Sequence, residues 1–300
     1  MDTLTAQIED IRTFSLKEKA AAYFELTKPR IAFLLVLTSA AGFYIGTQGE
    51  FPIGLFIHSM IAITILASGV ATLNQWFERS LDPKMERTAK RPLPSNRVTP
   101  NAALTFGVLN CAVAEAYLFF FVNGLTAFLG LLVIIGYVLL YTPLKTRTTA
   151  CTAIGAFPGA LPPLMGFTAA TGEITMIAWA LFAIQFFWQF PHFFAIAWMY
   201  RVQYRRAGIK MLPAVEPDGR ITFRQIVMFT VLLVPVSLAP FFLGIDGIVY
   251  LVGAVILGGW FLWASIRSAL SKSNQSAKAL LLVSVIYLPL LFILMVADKR

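Results

Sequence analysis

The sequence predicts an all-α polytopic membrane protein of nine transmembrane helices: two four-helix units plus one helix, around a central cavity open to the cytosolic side. Three observations lead there. Of 300 residues, 58% are hydrophobic and only 13% charged, against roughly 25% charged in soluble domains. Nine apolar runs follow one another, most of them near the roughly 17–25 residues a bilayer requires. The basic residues are confined to alternate connections. A net charge of +9 would suit nucleic acid if it formed one groove, but here it lies in short clusters between apolar spans, which excludes that class.

The predicted spans are Ile31–Ile45, Ile53–Trp76, Ala102–Val122, Leu125–Tyr141, Thr149–Ala170, Thr175–Tyr200, Ile226–Leu243, Ile248–Ile266 and Leu280–Ala297. The first is short and needs its flanks to cross. Before it lies a polar tail, residues 1–30, containing Asp2, Glu9 and Asp10. The tail lacks the basic start and short apolar core of a signal peptide and is too acidic for a transit peptide, so it reads as a cytosolic amphipathic segment. Residues 31–300 form the membrane domain.

Orientation follows from Lys and Arg. The tail carries Arg12, Lys17, Lys19, Lys28 and Arg30. The second connection carries six, the fourth Lys145 and Arg147, the sixth six, and the eighth Arg267, Lys272 and Lys278. Together these are 22 of the 24 basic residues, while the odd connections carry only Glu50, Glu173 and Asp246. The inside-positive bias puts the N-terminus in the cytosol and the C-terminus outside a bacterial cell membrane. The two long inner connections, after spans 2 and 6, suggest a repeated four-helix unit, and repeats tend to place a site where they meet. Cys111 and Cys151 sit at different depths, so neither a disulfide nor, with two scattered His, a zinc site is expected.

The chemistry concentrates at the inner ends of the spans. Asn74, Glu78 and Asp82 are spaced i, i+4, i+8 and share a face if the helix continues, but Pro83 disfavours helix at Asp82. One amide and two carboxylates are hard oxygen donors of the type Mg²⁺ takes together with substrate phosphates. Lys84, Arg87, Lys90, Arg91 and Arg97 follow, suited to phosphate oxygens. The same spacing also fits ion pairing on a solvated helix end. Tyr141 and Lys145 let a phenol and an ammonium reach one phosphate, or are an aromatic-belt Tyr and an inside-positive Lys. His192, after Pro191 in an apolar span, reads either as an interhelical hydrogen bond near a proline kink or as a contact to haem, acceptor or proton path. His58 reads as structural.

Taken together, these segments resemble the UbiA-type membrane prenyltransferases, and within them the branch that acts on haem. The matching text is LTKPRI at Leu26–Ile31, N-x3-E-x3-D-x2-M-x-RT-x2-RPLP from Asn74 to Pro94, YTPLK at Tyr141–Lys145, IGAFPGALPPLMGFTAATG at Ile154–Gly172, WQFPHF at Trp188–Phe193 and AGIKMLP at Ala207–Pro213. The resemblance implies transfer of a farnesyl group from farnesyl diphosphate to a vinyl group of haem B, with Mg²⁺ on Asn74, Glu78 and Asp82. It implies Arg79, Arg87, Arg91 and Lys145 as diphosphate or propionate contacts, Tyr141 and His192 as substrate contacts, and Gln203 and Tyr204 at the second motif. A downstream haem A synthase is the implied partner, with the lipid bilayer and no nucleic acid. Glu78 departs from the commoner Asp. Val202 and Gln203 stand where a carboxylate pair is usual, which leaves Glu216 or Asp218 as substitute donors for a second ion. Rival readings are a prenyltransferase with a quinone or phenolic acceptor and a helical-repeat transporter.

Overall fold

The structure, a computed structural model, describes residues 15–300. Asp2, Glu9, Asp10 and Arg12 lie outside the described residues. Among the described residues the regular structure is helical, with one isolated bridge between Asp246 and Lys299.

The described part of the N-terminal segment is helical and packed. Helix α1 (Leu16–Leu26) starts at a capping box: the Ser15 hydroxyl accepts Glu18 N–H at 3.2 Å and the Glu18 carboxylate accepts Ser15 N–H at 2.9 Å. Its apolar stripe, Ala22 and Leu26, is buried against Leu93, Val98 and Ala103, and Arg97 pairs with Glu25 at 2.7 Å. The chain then turns at Lys28, whose φ of 49° is left-handed, a conformation costly for a residue with a Cβ. Pro29, with its preset φ, opens the next helix.

Among the described residues, nine helices are long and apolar enough to cross a bilayer: α2 (Pro29–Gly46), α3 (Ile53–Glu78), α4 (Pro100–Phe121), α5 (Gly124–Leu144), α6 (Cys151–Thr171), α7 (Met176–Met199), α8 (Arg220–Phe242), α9 (Ile248–Ser271) and α10 (Asn274–Ala297). Every predicted span has its helix. The first gains the flanks it needed. The seventh starts six residues earlier than apolarity suggested, at Arg220, because Glu216 caps it: its carboxylate accepts the N–H groups of Ile221 and Thr222 and the Thr222 hydroxyl.

Two four-helix groups, α2–α5 and α6–α9, meet where α2 crosses α6, and α10 closes the circuit against α9, α7 and α2. Lipid supplies no hydrophobic drive between helices, so close approach relies on small residues. A Cβ on Gly42 would strike the Pro163 carbonyl oxygen, and one on Gly166 the Ser39 carbonyl oxygen. In the same crossing the Ser39 hydroxyl donates to the Pro162 carbonyl at 2.9 Å. In α5, residues Ile135–Tyr141 widen into a π-helical stretch; such stretches recur at functional sites. Cys111 and Cys151 are both free and buried. His58 bonds Tyr117 at 2.8 Å and stacks on Phe121, the structural role expected of it.

Candidate active site at the basic end of the bundle

At the end of the bundle that gathers the basic connections, α3 stops at Glu78. The three oxygen-bearing residues are all buried: Asn74 is 1%, Glu78 6% and Asp82 0% exposed. The helical face does not run through all three. Asp82 lies beyond the helix, in a 3₁₀ turn over Asp82–Lys84 that Pro83 shapes. The Thr88 hydroxyl donates to its carbonyl at 2.9 Å and fixes that turn.

Each oxygen donor meets a cation. Lys28 Nζ donates to Asn74 Oδ1 at 2.7 Å. Lys145 Nζ donates to Glu78 Oε1 at 2.5 Å. Arg91 Nη1 bridges Asp82 Oδ1 and Oδ2, at 2.8 and 2.9 Å, and approaches Glu78 Oε2 at 3.5 Å. The Asn74 amide is oriented from its other side, donating to Thr142 Oγ1 at 3.1 Å, and Thr142 donates to the Tyr137 carbonyl inside the π-helical stretch at 2.8 Å. A lone buried charge is expensive, and one removed partner leaves it so. The five ionisable groups are therefore mutually dependent.

The balance is three cations, Lys28, Lys145 and Arg91, against two carboxylates. The surplus shows at Lys28, the cation with no carboxylate of its own: burial first, then the nearby Arg91, lowers its pKa to about 7. Burial also opposes the charge on Lys145, but Glu78 outweighs it and holds that ammonium firmly protonated. Burial raises the pKa of Asp82 while Arg91 pulls against it. A surplus of buried positive charge suits an anion.

These residues fit a hard divalent ion. Asn74, Glu78 and Asp82 offer only oxygen ligands, and Mg²⁺ is usually held by one or two carboxylates with substrate phosphates and water completing its shell. No group of three His, Cys, Asp or Glu among the described residues forms a self-sufficient metal cage. An ion on this donor set thus requires oxygens brought by a ligand. The cations now resting on the three donors are the groups such a ligand's oxygens would meet.

The other expected residues divide. Tyr141 lies under Lys145, whose Nζ stands 4.4 Å from the ring centroid. Tyr204 and Arg87 adjoin, the guanidinium donating to the phenol oxygen at 3.3 Å and lying over Tyr200. Gln203 keeps a buried, unpartnered Oε1. Arg79 turns away: it is exposed, donates to the Trp76 carbonyl at 2.7 Å and stacks on that indole. His192 is deeper in the bundle and bonds Ser284 of α10. Glu216 and Asp218 are engaged with the start of α8. The Glu216 carboxylate is spent on the start of α8, and Asp218 accepts Arg220 N–H at 3.4 Å.

Sequence reasoning quoted Lys28 within LTKPRI but gave it no role, and it missed Thr142 and Tyr137. A lysine immediately before the proline that opens a span was the available signal. Its left-handed φ, which aims the side chain 46 residues ahead in sequence at Asn74, was not legible. Two clefts of about 410 and 450 Å³ open elsewhere on apolar surface, beside Glu115 and beside Trp263.

Known proteins resemble the chain in sequence and in fold. The chain is 47% identical over 286 residues to a protoheme IX farnesyltransferase of Solibacter usitatus, covering 92% of this chain and 98% of that one. It is 44% identical over 276 residues to a protoheme IX farnesyltransferase of Salinibacter ruber, covering 92% and 98%. Among solved structures, a digeranylgeranylglyceryl phosphate synthase superposes with a TM-score of 0.79 at 18% identity, over 94% of this chain and 98% of that one. A UbiA homolog from Archaeoglobus fulgidus bound to DMAPP and Mg²⁺ gives 0.63 at 14%, over 92% and 99%; at such identities the likeness is one of fold. The model of the UbiA prenyltransferase family matches residues 35–293, and with that match and relatives this similar along nearly their whole length, the chain belongs to the UbiA prenyltransferase family.

Proposed function

We propose that this protein transfers the farnesyl group of farnesyl diphosphate to a vinyl group of haem B, giving haem O, from the cytosolic side of a bacterial cell membrane. The observation that carries the reading is the buried cluster in which Asn74, Glu78 and Asp82 are held by Lys28, Lys145 and Arg91. The protoheme names of the relatives, and the WQFPHF segment of this chain, support the haem branch. The basic end faces the cytosol, the C-terminus lies outside, residues 31–300 form the catalytic domain, and α1 within the 1–30 segment braces the site's loop. A downstream haem A synthase is the proposed partner.

Mg²⁺ held by Asn74, Glu78 and Asp82 would supply positive charge to the departing diphosphate. Lys28, Lys145 and Arg91 bind the remaining phosphate oxygens and stabilise the charge that grows there as the allylic C–O bond breaks and its electron pair leaves with diphosphate. The vinyl π-electrons attack the allylic carbon, and water then adds to the resulting cation with loss of a proton. No side-chain nucleophile is needed. Gathering of the charges at one end argues against a transporter, whose polar groups belong near the midplane.

The test is an assay of the purified protein in nanodiscs with haem B and farnesyl diphosphate, with and without Mg²⁺, read by product mass. Haem carrying a hydroxyethylfarnesyl group, formed only with Mg²⁺, is expected. Prenylation confined to a quinone or phenol would overturn the haem assignment.

A further inference from the structure

His192 lies seven residues before the end of α7, about 10 Å into the bundle from its basic end. Its ring is fixed on two sides. Trp188, one turn earlier, stacks on it with centroids 4.7 Å apart and planes at 25°. Its Nδ1 is 2.8 Å from the hydroxyl oxygen of Ser284 on α10. Neighbours on the same side define where the ring faces. Trp188 Nε1 donates to the Ser284 carbonyl at 2.7 Å, and Gln189 Nε2 donates to the Ala156 carbonyl of α6 at 3.0 Å. Residues three and four apart share a helix face, so His192 looks between α6 and α10, into the bundle and not toward lipid.

The direction of the Ser284–His192 bond follows from proton accounting. A serine hydroxyl has one proton to donate. The Ser284 hydroxyl lies 2.6 Å from the Leu281 carbonyl oxygen, which can only accept, so its proton is committed there. Were the proton instead given to His192, two oxygen lone pairs would face each other at that distance. Ser284 Oγ therefore accepts, and His192 Nδ1 carries the N–H. The neutral ring then has its lone pair on Nε2. That nitrogen makes no hydrogen bond among the described residues and is not among the polar atoms sealed away without a partner, so its lone pair is accessible. A histidine whose second nitrogen donates to an oxygen, fixing tautomer and ring plane, is the ordinary arrangement of a metal-ligating imidazole.

We propose that Ser284 is a positioning residue that holds His192 with its Nε2 lone pair turned into the bundle, so that this nitrogen ligates the iron of the porphyrin acceptor. The proposal rests on haem as the acceptor. It adds the ligating nitrogen, the helix that orients it, and a means of choosing a metallated porphyrin over a metal-free one. Coordination leaves the vinyl carbons untouched, and no electron is transferred.

The experiment uses the full-length protein in nanodiscs, titrated with ferric haem B and separately with metal-free protoporphyrin IX, and followed by Soret absorption and electron paramagnetic resonance. Wild type is expected to show a histidine-ligated spectrum and to bind haem at least about tenfold more tightly than protoporphyrin. His192→Ala should lose both the signature and the preference, and added imidazole should restore the signature. Ser284→Ala should weaken haem binding by roughly 10–100-fold, the usual effect of removing a group that orients a ligating histidine, while leaving protoporphyrin binding unchanged. Ser284→Thr, which keeps the hydroxyl, should recover it. Haem farnesylation by wild type without a His192-dependent spectrum or an iron preference overturns the ligation while the proposed function stands. Absence of both haem binding and haem farnesylation overturns both.

Discussion

The two long connections at the basic end, 79–99 after α3 and 200–219 after α7, occupy equivalent places in the two four-helix groups and have different fates. In the first, Asp82 is buried and bridged by Arg91, which also reaches Glu78 on the preceding helix. In the second, the carboxylate of Glu216 closes the start of α8, and the buried groups are the Tyr204 ring and the unpartnered Gln203 oxygen. The contrast teaches that the first connection buries its carboxylate among cations, while the second supplies surface, a phenol and a helix cap. Under the proposed function, the handling of diphosphate would be concentrated in the first half and the second half would be free to shape the acceptor side.

Substitutions break or sharpen that contrast. Asp82→Asn should have the largest effect, lowering the turnover number by about 100-fold or more, since single preorganised electrostatic groups are worth roughly 10²–10³. It should also raise the Mg²⁺ concentration needed for half-maximal rate. Full activity at unchanged Mg²⁺ dependence would end the role of the first motif. Lys28→Met should raise KM for farnesyl diphosphate by roughly 10–100-fold, the worth of one hydrogen bond to a charged group, with little change in haem affinity; steady-state kinetics with each substrate varied separates the two.

Glu216→Gln tests the other half. It should cost about 1 kcal/mol of stability, as lost helix caps do, and leave the Mg²⁺ dependence as in wild type. A shifted metal dependence would mean that the second half holds an ion after all. The smallest effect is expected far from both loops, where Asp246 is fully buried beside Asp298 and Lys299. Burial first, then the Asp298 charge, pushes its pKa up to about 7. A carboxyl raised in the folded state favours folding below its unfolded value of 3.8 and loses that contribution as pH rises through about 7. Melting in detergent should thus be higher at pH 6 than at pH 8, and Asp246→Asn should flatten the difference.

Nine spans, their order and the gathering of cations at one end were legible from residue types alone, because a bilayer demands long apolar helices and admits few charges. Asn74, Glu78 and Asp82 beside the basic run that includes Arg91 were legible as a candidate site for a divalent ion and phosphate, with ion pairing as the rival reading, and Lys145 joined them through the family resemblance. Which cation meets which oxygen was not legible. Arg79 and Arg91 look equivalent in the sequence, yet one stacks on Trp76 at the surface and the other bridges two buried carboxylates. Lys28 joins Asn74 only because a left-handed turn redirects the chain before α2, and Ser284 meets His192 across 92 residues only because α10 packs on α7. Local periodicity determines what each helix is; partners across helices depend on packing, which no spacing along the chain encodes.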